Sequence, residues 1–185
     1  IELKNQYIDT GITPEPAYLY SYSFDAPDNK QYVALLGCRV SDGNSKSFGI
    51  LQTPESNKIR LDFDDPDSNG TSTTVDTYGT VSSHAVYRFY GNVTAIYASS
   101  LNNQVIYSKK PISASTASGL TASIYLGAYH RQDNNSAIFI TPSLKIYGFQ
   151  ITNSNTVIGN FIPASCNGVK GMYETVKNQF HGVDG

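Results

Sequence analysis

Apolar and polar residues alternate with a period of two along most of this chain, and runs spaced for an amphipathic helix are nearly absent. Successive side chains on an extended strand point to opposite faces, so a period of two folds by burying one face of a sheet. Tyr18 to Phe24 (YLYSYSF) sets three tyrosines and a phenylalanine on one face, with Leu19, Ser21 and Ser23 on the other. Gln31 to Val40 (QYVALLGCRV) is apolar almost throughout, as expected of a central strand covered on both faces. Further strands are expected at 48–52, 58–63, 84–90, 93–98, 104–108, 121–130, 136–140 and 144–152. Pro27-Asp28-Asn29, Asp42-Gly43-Asn44, Asn69-Gly70, Gly91-Asn92 and Asn102-Asn103 punctuate them with residues that tolerate positive φ or bond their own backbone. Short strands separated by turns at this spacing predict an all-β, antiparallel two-sheet β-sandwich with little or no helix. The one candidate helical stretch is 175–180. No repeat or linker divides the chain, so one domain is expected over 1–185.

Composition narrows the function. Charged residues are 15% of the chain, against about 25% in an average domain. Asn, Ser, Thr and Tyr make up the difference, which predicts a surface of hydroxyls and amides. Thirteen basic against fifteen acidic residues give a net charge of −2. Binding a phosphate backbone needs a basic face to release counterions, so nucleic acid is not expected as a partner. No apolar run approaches the ~20 residues of a membrane span, and no signal-peptide pattern opens the chain. Two cysteines, Cys38 and Cys166, lie far apart without metal-type spacing. Both read as small buried thiols, with a disulfide open only if their segments meet.

Several segments, in order, resemble one family. Tyr7-Ile8-Asp9-Thr10-Gly11-Ile12 is similar to the opening strand of concanavalin A-like, laminin-G-like jelly rolls of Gram-positive bacteria and their phages. Leu36-Gly37-Cys38-Arg39, Phe48-Gly49-Ile50, Lys58-Ile59-Arg60-Leu61 and the segment Tyr125 to Asp133 follow in the same order. Leu144 to Ile151 resembles the family's long penultimate strand. The closing block, Asn160-Phe161-Ile162-Pro163-Ala164 and then Gly168 to Val176, resembles its FIPA…GxxGxYD signature, with Glu174 in place of the usual Asp. The resemblance implies a jelly roll of the kind carried by enlarged distal-tail and receptor-binding proteins of phages. It also implies a location on a virion tail or cell surface, a host wall or surface polysaccharide as partner, and attachment to a parent tail or surface protein.

The candidate chemistry points the same way. A glycosidase needs two carboxylates flanking the scissile bond. The four glutamates, Glu2, Glu15, Glu55 and Glu174, fall outside convincing strand centres, and the pair Asp62 and Asp64 sits at a strand end. His84, His130 and His181 lack a nucleophile elbow around them. No enzyme activity is expected. Asp65-Pro66-Asp67-Ser68-Asn69-Gly70, with Asp76 at the twelfth position, has the alternating oxygen ligands of a Ca²⁺ loop. It also has the composition of any exposed hairpin loop, and no cofactor is required by the reading. For sugar binding the chain has no Trp but fourteen tyrosines, each a ring to stack and a hydroxyl to bond. Candidate saccharide contacts are Arg39, Tyr78, Tyr129, His130, Arg131 and Asp133, with Tyr129, Arg131 and Asp133 on one side of a strand. A non-catalytic lectin-like module ranks first, a structural or protein-binding module second and a glycan hydrolase third.

Overall fold

The computed structural model describes residues 1–15, 17–25, 32–41, 46–52, 54 and 120–185, with the backbone of four further strands between 59 and 100. In chain order the strands are β1 (Glu2–Leu3), β2 (Ile8–Asp9), β3 (Tyr18–Asp25), β4 (Val33–Arg39), β5 (Ser47–Gln52), β6 (Ile59–Asp62), β7 (Val75–Thr77), β8 (Ala85–Tyr90) and β9 (Ile96–Ser100). They continue as β10 (Tyr125–Leu126), β11 (Tyr129–Arg131), β12 (Ser136–Ile138), β13 (Leu144–Asn153), β14 (Thr156–Cys166), β15 (Val169–Glu174) and β16 (Gln179–Gly182). One sheet runs β16-β15-β14-β13-β3-β8-β9 with β1 on β13; the other runs β12-β11-β4-β5-β6-β7 with β10 and β2 joined to β4. The two sheets form a jelly-roll sandwich. Among the described residues there is no helix. Residues 175–180 close the β15–β16 hairpin instead, through a turn over 175–178 in which Asn178 takes φ +56°.

Alternation places the core. Tyr20, Tyr22 and Phe24 of β3 point inward and meet Phe48, Phe149 and Phe161. The Tyr22 hydroxyl donates to Leu35 O (3.1 Å), so a buried phenol ties β3 of one sheet to β4 of the other. Every residue of β4 is buried, as its apolar run predicts for a strand covered on both faces. Cys38 faces this core, and burial pushes its thiol pKa upward. Cys166 differs from its sequence reading: it is exposed at the end of β14, and both thiols are free.

The stretch 121–130 is also not one strand. Gly127 (φ +89°) reverses the chain, so β10 pairs antiparallel with β4 whereas β11 pairs parallel with it. This reversal gives β11 a parallel pairing with β4, whereas the other pairings between the described strands are antiparallel. It also places the 120–135 segment beside the opening strand, where the candidate site forms.

Candidate functional site

Asp9 ends β2, and its side chain accepts the Gly11 N–H (2.8 Å) at a turn where Gly11 takes φ +65°. Thr10 then binds the 120s segment through two bonds to Ile124 O, from its N–H (3.1 Å) and its hydroxyl (2.8 Å). Ser123 is thereby held against Asp9, and its hydroxyl donates to Asp9 Oδ1 at 2.5 Å. His130 of β11 stands with Nδ1 3.0 Å from Ser123 O and 3.1 Å from Ser123 Oγ, and with Nε2 2.7 Å from Asn135 Oδ1. A carbonyl only accepts, so the Ser123 O contact calls for a proton on Nδ1; in a neutral ring Nε2 then accepts, which requires the Asn135 amide to turn its NH₂ toward it. The imidazole is nearly buried (7% exposed). It stacks on Tyr125 (4.0 Å between centroids, 11°), which stacks in turn on Tyr7 (4.6 Å, 13°). Burial, with Asp9 nearby, pushes the Tyr125 phenol pKa up to about 12.

Asp9, Ser123, His130 and Asn135 wall a cleft of about 460 Å³, together with Gly11, Thr13, Thr121, Ala122 and Gln132. Gln132 Oε1 accepts the Thr121 N–H (2.8 Å) across it. The turn over 132–135 is fixed by Gln132 N–H to Arg39 O (2.9 Å) and Asp133 N–H to Val40 O (3.0 Å), with Asn135 at φ +54°. The walls are therefore hydroxyl, amide, carboxylate and imidazole groups whose orientation is set by bonds to one another. An Asp, a Ser and a His in contact invite comparison with a nucleophilic triad, but the order is wrong. The serine is central, its hydroxyl donates to Asp9, and the facing imidazole nitrogen donates to the Ser123 carbonyl, so the histidine is not placed as the serine's base.

The sequence-derived residues divide between two faces of β11. His130 faces the cleft. Tyr129, Arg131 and Asp133 lie on the other side, where Arg131 is the register partner of Arg39. Arg131 Nε and Nη2 grip Asp133 Oδ1 and Oδ2 (3.0 and 2.6 Å), and these bonds hold the Asp133 carboxyl below its ordinary pKa. Arg39 is buried (8% exposed). Tyr129 is 0% exposed, its ring laid over the paired glycines Gly37 and Gly49 and packed with Ala34 and Leu51. It is a core residue and presents no ring to a ligand. Tyr78 and the loop residues Asp65, Asp67 and Asn69 lie outside the described residues, and Asp76 falls in β7, where the backbone alone is described. No cluster of metal-ligating side chains occurs among the described residues. Sequence reasoning missed Asp9, Thr13, Thr121, Ser123, Gln132 and Asn135 as a site. Gln132 and Asn135 stood in the polar run after Tyr129, but nothing local linked them to Asp9.

No protein-family model and no curated protein matches the chain. Solved structures do. A mutant NanB sialidase of Streptococcus pneumoniae aligns over 84% of this chain and 26% of its own, at 16% identity and a TM-score of 0.60. The CBM40 module of the Ruminococcus gnavus IT-sialidase, bound to α2,3-sialyllactose, aligns over 80% of this chain and 88% of its own, at 14% identity and a TM-score of 0.53. The chain thus spans about a quarter of the sialidase and most of the module. At such identities the likeness is one of fold, a jelly-roll β-sandwich.

Proposed function

We propose that this chain is a non-catalytic carbohydrate-binding module whose site is the cleft between β2 and the β11–β12 turn. The observation that carries the reading is the cleft wall, in which Asp9, Ser123, His130, Gln132 and Asn135 form a fixed array of polar groups. Planar carboxylate and amide groups, held in place before a ligand arrives, suit the clustered hydroxyls of a sugar. The aromatic stack behind His130 keeps the array rigid. The fold of the neighbour bound to sialyllactose supports the ligand class. An open, polar site of this size gives weak affinity per copy, which display in many copies raises by roughly 10²–10⁴. A setting on a phage tail or a Gram-positive surface protein, with host wall polysaccharide as partner, rests on the motif resemblance.

The test is retention on immobilised glycans, including sialyllactose and purified Gram-positive wall polysaccharide. Asn135→Gly removes the amide without straining its positive φ, and Gln132→Ala removes the second. Each is expected to weaken binding about tenfold; Gln132→Ala, which removes only an exposed bond, leaves the melting temperature nearly unchanged, whereas Asn135→Gly takes the partner of His130 Nε2 and lowers it by roughly 2–6 °C. A wild-type chain that binds none of the panel, or variants that bind like wild type, overturns the reading.

A protein-docking role is the second reading. Ile162, Tyr173 and Phe180 align in one row across β14, β15 and β16, and Ile162 and Val169 are exposed. Failure on the glycan panel would favour it.

A further inference from the structure

Part of the cleft's hydrogen-bonding capacity is spent inside the protein, and the remainder describes a ligand. Asp9 Oδ1 is filled twice, by the Gly11 N–H (2.8 Å) and the Ser123 hydroxyl (2.5 Å), whereas Oδ2 meets no donor among the described residues. The Gln132 amide is oriented by the Thr121 N–H, which donates to Oε1 (2.8 Å). Its NH₂ is therefore the end left over, again with no partner among the described residues. Thr121 and Ser123 are two residues apart on one wall, so the unspent carboxylate oxygen and the unspent amide donor serve the same cleft. His130 adds nothing further, since its two nitrogens already meet Ser123 O and the Asn135 amide. An acceptor and a donor of this kind match adjacent hydroxyls on a sugar ring, each of which donates one hydrogen bond and accepts others.

Charge narrows the class. The lining holds one carboxylate and, among the described residues, no lysine or arginine. The Arg131 guanidinium lies on the other face of β11 and is taken up by Asp133. A second carboxylate, Asp184, lies close enough that its charge acts with that of Asp9 on the Tyr125 phenol. A carboxylate, sulfate or phosphate entering the cleft thus meets like charge with no cation to offset it, and such juxtaposition is strongly disfavoured.

We propose that the cleft selects a neutral saccharide by two adjacent hydroxyls, one donating to Asp9 Oδ2 and its neighbour accepting from Gln132 Nε2, and that it rejects acidic sugars. The proposal rests on the carbohydrate reading above and names the class of sugar within it.

The experiment compares retention on two sets of immobilised polysaccharides: neutral dextran, galactan, mannan and rhamnan, and acidic polygalacturonate, hyaluronate and polysialic acid. Wild type is expected on at least one neutral polymer, with every acidic one retaining it at least about tenfold less. Two variants test the pair of groups. Asp9→Asn keeps Oδ1 and its two bonds but replaces Oδ2 with a donor. Gln132→Glu keeps the bond from the Thr121 N–H but replaces the free donor with an acceptor. Each is expected to weaken neutral retention at least about tenfold. Thermal melts accompany both; Gln132→Glu changes only an exposed bond and melts near the wild-type temperature, so the test stands even if Asp9→Asn fails to fold. The proposal is refuted, with the carbohydrate reading left standing, if any acidic glycan, sialyllactose included, retains wild type as strongly as the best neutral one. It is refuted equally if either folded variant is retained like wild type. Wild type retained by no glycan of either charge overturns the carbohydrate reading itself, and the proposal with it.

Discussion

Glu174 is the substitution with the most definite consequence. It ends β15, is fully buried, and its carboxylate accepts three backbone N–H groups. Oε1 takes those of Asn160 (3.1 Å) and Val176 (2.8 Å), and Oε2 takes that of Lys177 (2.6 Å). One side chain thus closes the β15–β16 turn and pins it to β14. Burial acts to raise its pKa, but the three donors and the Lys177 charge outweigh it, and the carboxyl titrates below its ordinary value. Glu174→Gln keeps Oε1 and its two bonds but turns an amide N–H₂ toward the Lys177 N–H. Hydrogen bonds to charged groups contribute about 1.5–3 kcal/mol each, so losing one and leaving a donor unmet costs about 2–3 kcal/mol. For a chain of this size that is a fall of roughly 5–10 °C in melting temperature at pH 7. Because the folded pKa lies below the unfolded value of about 4.3, the unfolded chain binds more protons in that window. The carboxylate's contribution is therefore complete above about pH 5 and fades as pH falls through the folded pKa. The wild-type advantage over Glu174→Gln should be full at pH 7 and smaller at pH 3.5, read by calorimetric melts. A variant within 1 °C of wild type at pH 7, or a gap that does not narrow on acidification, would refute the argument.

The other predictions concern packing and exposure. Gly37→Ala should destabilise by ~3 kcal/mol or prevent folding, since a Cβ there overlaps both the Tyr129 ring and Phe48 O and φ is +149°; chemical denaturation reads the loss, and a midpoint like wild type would sink it. Ellman's reagent should titrate one thiol per native chain, the exposed Cys166, and a second only on unfolding, when Cys38 leaves the core. For the site itself, Asn135→Gly and Gln132→Ala should weaken glycan retention about tenfold, with stability nearly constant for Gln132→Ala and a few degrees lower for Asn135→Gly, which leaves His130 Nε2 without its bond.

The jelly-roll fold explains how so small a change in backbone direction creates the site. The reversal at Gly127 lets the chain pair with β4 twice, so Ser123 and His130 end up on the same side of that strand. The opening strand then lies across this pocket. His181 of β16 donates from Nδ1 to Asp9 O (2.8 Å), which fixes Asp9 from the far side as well. Residues from the middle and end of the chain thus hold Asp9 in place, Ser123 at its carboxylate and His181 at its backbone carbonyl.

Much of the sandwich was legible in the sequence because its cause is local. The two-residue period of Tyr18 to Phe24 reports which side chains face inward, and the unbroken apolar run of β4 reports burial on both faces. Turn residues marked several of the boundaries. The scarcity of charge is a property of composition alone, and it pointed to a polar, neutral surface whatever the strand order. The site was not legible, because its bonds join residues far apart in sequence: Asp9 and Ser123 are 114 positions apart. Which residue of a strand meets which is decided by pairing register and by sheet curvature, and a shift of one position reverses every face. Tyr129 looked like a ligand platform until Gly37 and Gly49, neighbours only through pairing, gave its ring a place to lie. Phe139 read as an ordinary apolar strand residue, and only the closing of residues 139–141 along β4 set its backbone left-handed and left its ring in solvent. Local pattern determined the strands and their buried faces; long-range pairing decided which polar groups would meet, since that is a property of registers that no single segment carries.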